Sequence, residues 1–122
     1  MAHYIDGYVL PVPKKRLAEY RRMASKAGKI WREHGALDYK ECAADDLKVH
    51  PGCGISFAHL AKLRPGETVV FSYIVFKSRA HRDRVNAKVF KDPRMSASCD
   101  PNDMPFALKR MAYGGFKAIV EA

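Results

Sequence analysis

The stretch Val69-Val70-Phe71-Ser72-Tyr73-Ile74-Val75-Phe76 is apolar at nearly every position, although a strand sends alternate side chains to opposite faces. Val70, Ile74 and Phe76 fall on one face, and Val69, Phe71, Tyr73 and Val75 on the other. A sheet with one wet side alternates apolar and polar residues, so a continuous apolar run predicts cover on both faces. His3 to Val12 agrees: Ile5 and Val9 share one side, Tyr4, Tyr8 and Leu10 the other, and Pro11 and Pro13 close the strand.

Beyond Pro13 the spacing changes. Leu17, Tyr20, Met23, Ala24, Ala27, Ile30 and Trp31 recur every three or four residues, which predicts a helix with one inward stripe, ended by Gly35. Leu37 to Ala43 reads as a second strand, followed by a loop from Asp45 to Gly54. Ile55 to Leu63 and Glu67 to Phe76 then read as an antiparallel hairpin about the turn Arg64-Pro65-Gly66-Glu67. Ser78 is a candidate N-cap for a second helix carrying Ala80, Val85, Val89 and Phe90, which Asp92-Pro93 stops. A polar loop to Asp103 leads to a last strand from Arg110 to Val120.

The order β-α-β-(β-β)-α-β predicts an α+β domain spanning residues 1–122: a ferredoxin-like split βαβ sandwich, with an antiparallel sheet and two helices on one face. Two helices cover only one side of that sheet. The expected cover for the other is the same face of a second subunit, because a two-fold interface is self-complementary. The chain is therefore expected to form a homodimer of the dimeric α/β-barrel kind.

The formal net charge of +9 raises the question of a nucleic-acid partner. The excess sits on the two predicted helices: in the first, Lys14, Lys15, Arg16, Arg21, Arg22, Lys26, Lys29 and Arg32 face only Glu19 and Glu33, and in the second Arg79, Arg82, Arg84, Lys88 and Lys91 face Asp83 and Asp92. Basic helices would touch phosphates without reading sequence, so nucleic acid ranks third among the functions considered and a solvated helix face comes before it. No apolar run has the length of a membrane span. Cys42, Cys53 and Cys99 are an odd set at irregular spacing, which predicts reduced thiols and a cytoplasmic location.

Candidate chemistry begins with Asp6, which interrupts an apolar strand on the face of Tyr4 and Tyr8. A buried carboxylate needs hydrogen-bond partners or a raised pKa. Lys109 or Arg110 from the last strand is the expected partner, making Asp6 the anchor or general base of a pocket, or half of a structural ion pair. Tyr113-Gly114-Gly115 reads as a β-bulge or a place of close approach. Tyr8, Tyr73 and Tyr113 offer hydroxyls to a ligand, with core packing as the default. His81 shares the stripe of Val85 and Val89. Cys42, His50, Cys53 and His59 lack the paired spacing of a zinc site, and no metal is expected. No nucleotide-loop or common hydrolase signature is present, and no cofactor is expected.

Several segments together resemble the YbaA-like bacterial family of unknown function: Tyr4-Ile5-Asp6-Gly7-Tyr8-Val9, His34-Gly35-Ala36-Leu37, Glu41-Cys42, Thr68 to Tyr73, Asp92-Pro93-Arg94-Met95, Met104-Pro105-Phe106 and Lys109 to Phe116. The loop around His50-Pro51-Gly52-Cys53 and the pair Ala107-Leu108 depart from that pattern. The resemblance implies a ferredoxin-like fold of the dimeric α/β-barrel superfamily and transfers no established activity. By analogy with that superfamily, the first function expected is binding, or transformation, of a small, partly apolar metabolite at the sheet face. A pocketless interaction module is the second.

Overall fold

The structure, a computed structural model, describes residues 2–97 and 100–122; Cys99 lies outside the described residues. Its elements are β1 (Tyr4–Pro13), α1 (Leu17–Glu33), β2 (Asp38–Ala43), α2 (Phe57–Leu60), β3 (Glu67–Phe76), α3 (Arg79–Lys91), α4 (Pro93–Ala97) and β4 (Ala112–Lys117), with single 3-10 turns before α1 and β4. The fold is α+β. Four antiparallel strands run in the order β2-β3-β1-β4.

Helix α1 starts after the predicted proline and ends where Gly35 adopts a φ of +119°. The Ser78 hydroxyl accepts from the His81 amide and caps α3, and Asp92 returns the backbone to an extended conformation. Stripes of α1 and α3 and one sheet face form the core: Ile30, Trp31, Ala36, Ile74, Phe76, Val85 and Val89 at one end, and Leu10, Val12, Tyr20, Ala24 and Val70 at the other. Gly28, mid-helix in α1, allows the contact between helix and β2. A Cβ there would come within 2.7 Å of the Tyr39 ring.

The expected hairpin partner of β3 is absent. Residues 57–60 form one turn of helix, started by the Ser56 hydroxyl accepting from the His59 amide. β1 and β2 already occupy both edges of β3, so no slot remains for the segment 55–63. The turn at Arg64 to Glu67 exists and feeds β3 from α2 instead. The expected bulge is also absent, since β4 pairs with β1 in unbroken register from Tyr4↔Lys117 to Val9↔Ala112.

The strand parity divides the sheet as the pattern requires. Tyr4, Asp6, Tyr8, Leu10, Ser72 and Ile74 face the helices. Ile5, Val9, Phe71, Tyr73, Val75 and Phe116 face away. One end of that outer face is roofed by the chain's own α2, whose Phe57 packs edge-on against Phe71 at 6.4 Å. The remainder stays open, with Phe71 44% and Phe116 61% exposed.

Candidate functional site

The space between helices and sheet does not fill completely. A cleft of about 850 Å³ runs across the helix-facing side, walled by Trp31, Tyr39, Phe90, Phe106, Tyr113 and methionines 23, 95, 104 and 111. Its volume lies in the range of small-molecule sites. A second groove of about 900 Å³ follows the outer side of α1 and the β2 edge, sharing Tyr20, Tyr39 and Glu41 with the cleft.

Asp6 and Ser72 are the buried polar residues of the described chain, each 4% exposed, and both line the cleft. Asp6 is answered from α3, not from β4. The Arg82 guanidinium donates to Oδ1 at 3.3 Å and the Asn86 amide to Oδ2 at 3.3 Å. Arg82 also donates to the Tyr4 hydroxyl at 3.2 Å and stacks 4.9 Å above that ring. Trp31 Nε1 donates to the Asn86 oxygen at 3.0 Å, which fixes which way the amide points. Burial pushes the Asp6 carboxyl up from its ordinary value, while Asn86 and Arg82 pull it down.

At the other end, Glu41 accepts from two phenols: Tyr20 to Oε1 at 2.7 Å and Tyr39 to Oε2 at 2.5 Å. Burial first, and the Glu41 charge second, push both phenols well above their ordinary value. They therefore remain donors across the physiological range. Tyr8 lies between the two carboxylates and is raised by burial and then by Asp6 and Glu41.

Pairing aligns these groups. Glu41 stands opposite Ser72, Ser72 opposite Tyr8, and Tyr8 opposite Tyr113, so one polar row crosses all four strands on the helix side. Tyr8 and Tyr113 stack at 6.1 Å. Among the described residues, the hydroxyls of Tyr8, Ser72 and Tyr113 make no hydrogen bond to the protein; Ser72 is a buried residue, while Tyr113 is 73% exposed.

Of the sequence candidates, Asp6, Tyr8 and Tyr113 therefore meet in the cleft, and four do not. Tyr73 faces the opposite side of the sheet. His81 packs edge-on against Phe76 at 6.0 Å and accepts from the Lys77 amide; burial and nearby Lys77, Arg84 and Lys88 lower its pKa. Arg110 makes a two-pronged pair with Glu67 at 2.6 and 2.9 Å, and Lys109 is exposed on the same turn. The turn before β4 swings these cations to the start of β3, away from Asp6. Sequence reasoning missed Glu41, Ser72, Arg82 and Asn86. The i, i+4 spacing of Arg82 and Asn86 was the available signal. Cys42 and Cys53 are free and exposed, and no cluster of three metal-ligating side chains occurs among the described residues.

Residues 3–108, from β1 to the turn before β4, match the family described as protein of unknown function (DUF1428). The chain belongs to that family. It is 42% identical over 118 residues, 97% of each chain, to the uncharacterized protein YbaA of Escherichia coli strain K12, and equally so to that of Shigella flexneri. Among solved structures, the de novo designed protein Foldit4 aligns over 99% of this chain and 100% of its own at 9% identity and a TM-score of 0.45. Asp6, Tyr8, Glu41, Ser72, Arg82 and Asn86 all lie within the segment that matches the DUF1428 family, and Tyr113 lies beyond it. No described helix is long and apolar enough to cross a membrane.

Proposed function

We propose that this DUF1428 protein binds a small, partly apolar molecule in the cleft between its helices and sheet. The observation that carries the reading is Ser72. Ser72 is 4% exposed and lines the cleft, and among the described residues neither its hydroxyl nor that of Tyr8, opposite it on β1, makes a hydrogen bond. In a core packed for stability alone, an apolar residue would serve better at that position. The aromatic and methionine walls suit an apolar frame, and the polar row suits one end of it. The cleft's volume favours this reading over a module that acts only through its surface.

A ferredoxin-like sandwich is the fold these elements support, since a split βαβ unit repeated with its sheet in this strand order is that arrangement. A homodimer closed through the outer sheet face accompanies it. Ile5, Val9, Phe71, Tyr73, Val75 and Phe116 form a contiguous apolar patch that a second copy would bury against itself.

Thermal unfolding in the presence of pooled small aromatic and unsaturated metabolites tests the binding reading. A ligand of the native cleft raises the midpoint with concentration, and Ser72→Val suppresses the rise. Failure of every pool to shift the folded protein would overturn it.

A further inference from the structure

Two carboxylates line the cleft, and they are treated differently. Asp6 has the Arg82 guanidinium against it. Glu41 accepts only from the Tyr20 and Tyr39 phenols, and no Lys, Arg or His nitrogen among the described residues lies within ion-pairing distance of it. Arg21, Lys29 and Arg32 line the neighbouring groove together with Glu41 and form no ion pair with it. A carboxylate can accept about four hydrogen bonds. Two are used here, and no ion pair answers the charge among the described residues.

Building on the ligand-binding reading above, we infer that the ligand carries a primary ammonium group, held by the Glu41 carboxylate, the Ser72 hydroxyl and the Tyr8 hydroxyl. An ammonium has three N–H donors and no acceptor. Glu41, Ser72 and Tyr8 stand side by side in register on the adjacent strands β2, β3 and β1, whose backbones run about 4.8 Å apart, and all three line the cleft. The Trp31 and Tyr39 rings, 6.1 Å apart and tilted by 30°, also line the cleft, and aromatic rings attract both cations and other aromatic groups. A carboxylate ligand would meet repulsion from Glu41. A neutral alcohol would satisfy Ser72 and Tyr8 and leave the charge unanswered.

Calorimetric titration with 2-phenylethylamine, 2-phenylethanol and 3-phenylpropionate separates these cases. The amine binds at least about tenfold more tightly than the alcohol, as a charge-assisted contact requires, and the carboxylate binds worst. Glu41→Gln keeps an acceptor for one phenol and gives the other an N–H donor that its hydroxyl oxygen can accept; it removes the amine's advantage and leaves the alcohol's affinity within about twofold. Ser72→Ala, which does not touch the carboxylate, weakens the amine more than the alcohol. Equal binding of amine and alcohol by the native protein, or an amine preference that survives Glu41→Gln, overturns the inference and leaves the cleft reading standing. Failure of all three compounds to bind overturns it as well, and the thermal screen then decides the cleft reading separately.

Discussion

Tyr4 lies across Gly115 on the neighbouring strand so closely that a Cβ at 115 would fall within 2.8 Å of the Tyr4 ring. The same ring carries the Arg82 guanidinium on its face and accepts from it at the hydroxyl. A glycine on β4 thus holds one side of the Asp6–Arg82 arrangement. Gly115→Ala is expected to displace Tyr4 and destabilise the fold by about 1–3 kcal/mol, the usual cost of overpacking. Gly114→Ala, whose Cβ would meet only the Phe116 ring at 3.8 Å, is expected within about 0.5 kcal/mol of the parent. Paired denaturant curves check the contrast.

Tyr8, Tyr20 and Tyr39 bind their phenolic protons more tightly in the folded chain than in the unfolded one, chiefly through burial. Folding therefore takes up protons in alkaline solution, and stability falls as pH rises above the ordinary phenol value of 10.0. An absorbance titration of tyrosinate should show these phenols ionising only as the chain unfolds. Tyr20→Phe and Tyr39→Phe, which each remove one such group, should flatten the alkaline loss of stability.

Arg110 touches neither Asp6 nor the cleft, yet its bond pair to Glu67 and its donation to the Lys62 carbonyl at 3.0 Å pin the turn that precedes β4. The segment before that turn carries Met104, Phe106 and Leu108 to the cleft wall. Arg110→Ala is expected to speed amide exchange across residues 104–111 and to leave α1 protected. Unchanged exchange in that segment would show that Phe106, packed edge-on against Tyr20 at 5.6 Å, holds it unaided.

The outer sheet face gives a prediction about assembly. Sedimentation equilibrium should return twice the chain mass of 13.8 kDa at micromolar concentration. Phe116→Glu, at a position exposed in the single chain, should yield a folded species of one chain mass. A stable species of one chain mass before substitution would contradict the dimer.

Much of this architecture was legible in the sequence because it rests on long apolar patterns. β1 and β3 show both faces in their residues, and α1 shows its stripe and its glycine end. The segment 55–63 misled because Phe57, Leu60 and Leu63 form a run too short for periodicity to separate helix from strand. Asp6 was visible as a charge inside an apolar strand. Its partners were not, because Arg82 and Asn86 come from a helix seventy-six and eighty residues later. Glu41 lies in the second predicted strand with no chemical role assigned to it, and only the pairing of β2 with β3 sets it beside Ser72.

The chain's single tryptophan, Trp31, stands in the wall of the cleft and reports on its occupancy. Trp31 emission, excited beyond tyrosine absorption, should change saturably as a ligand that raises the unfolding midpoint is titrated in, with the dissociation constant that calorimetry gives, and Ser72→Val should abolish the change. A ligand that stabilises the protein while leaving Trp31 emission untouched would place binding elsewhere and contradict occupancy of the cleft.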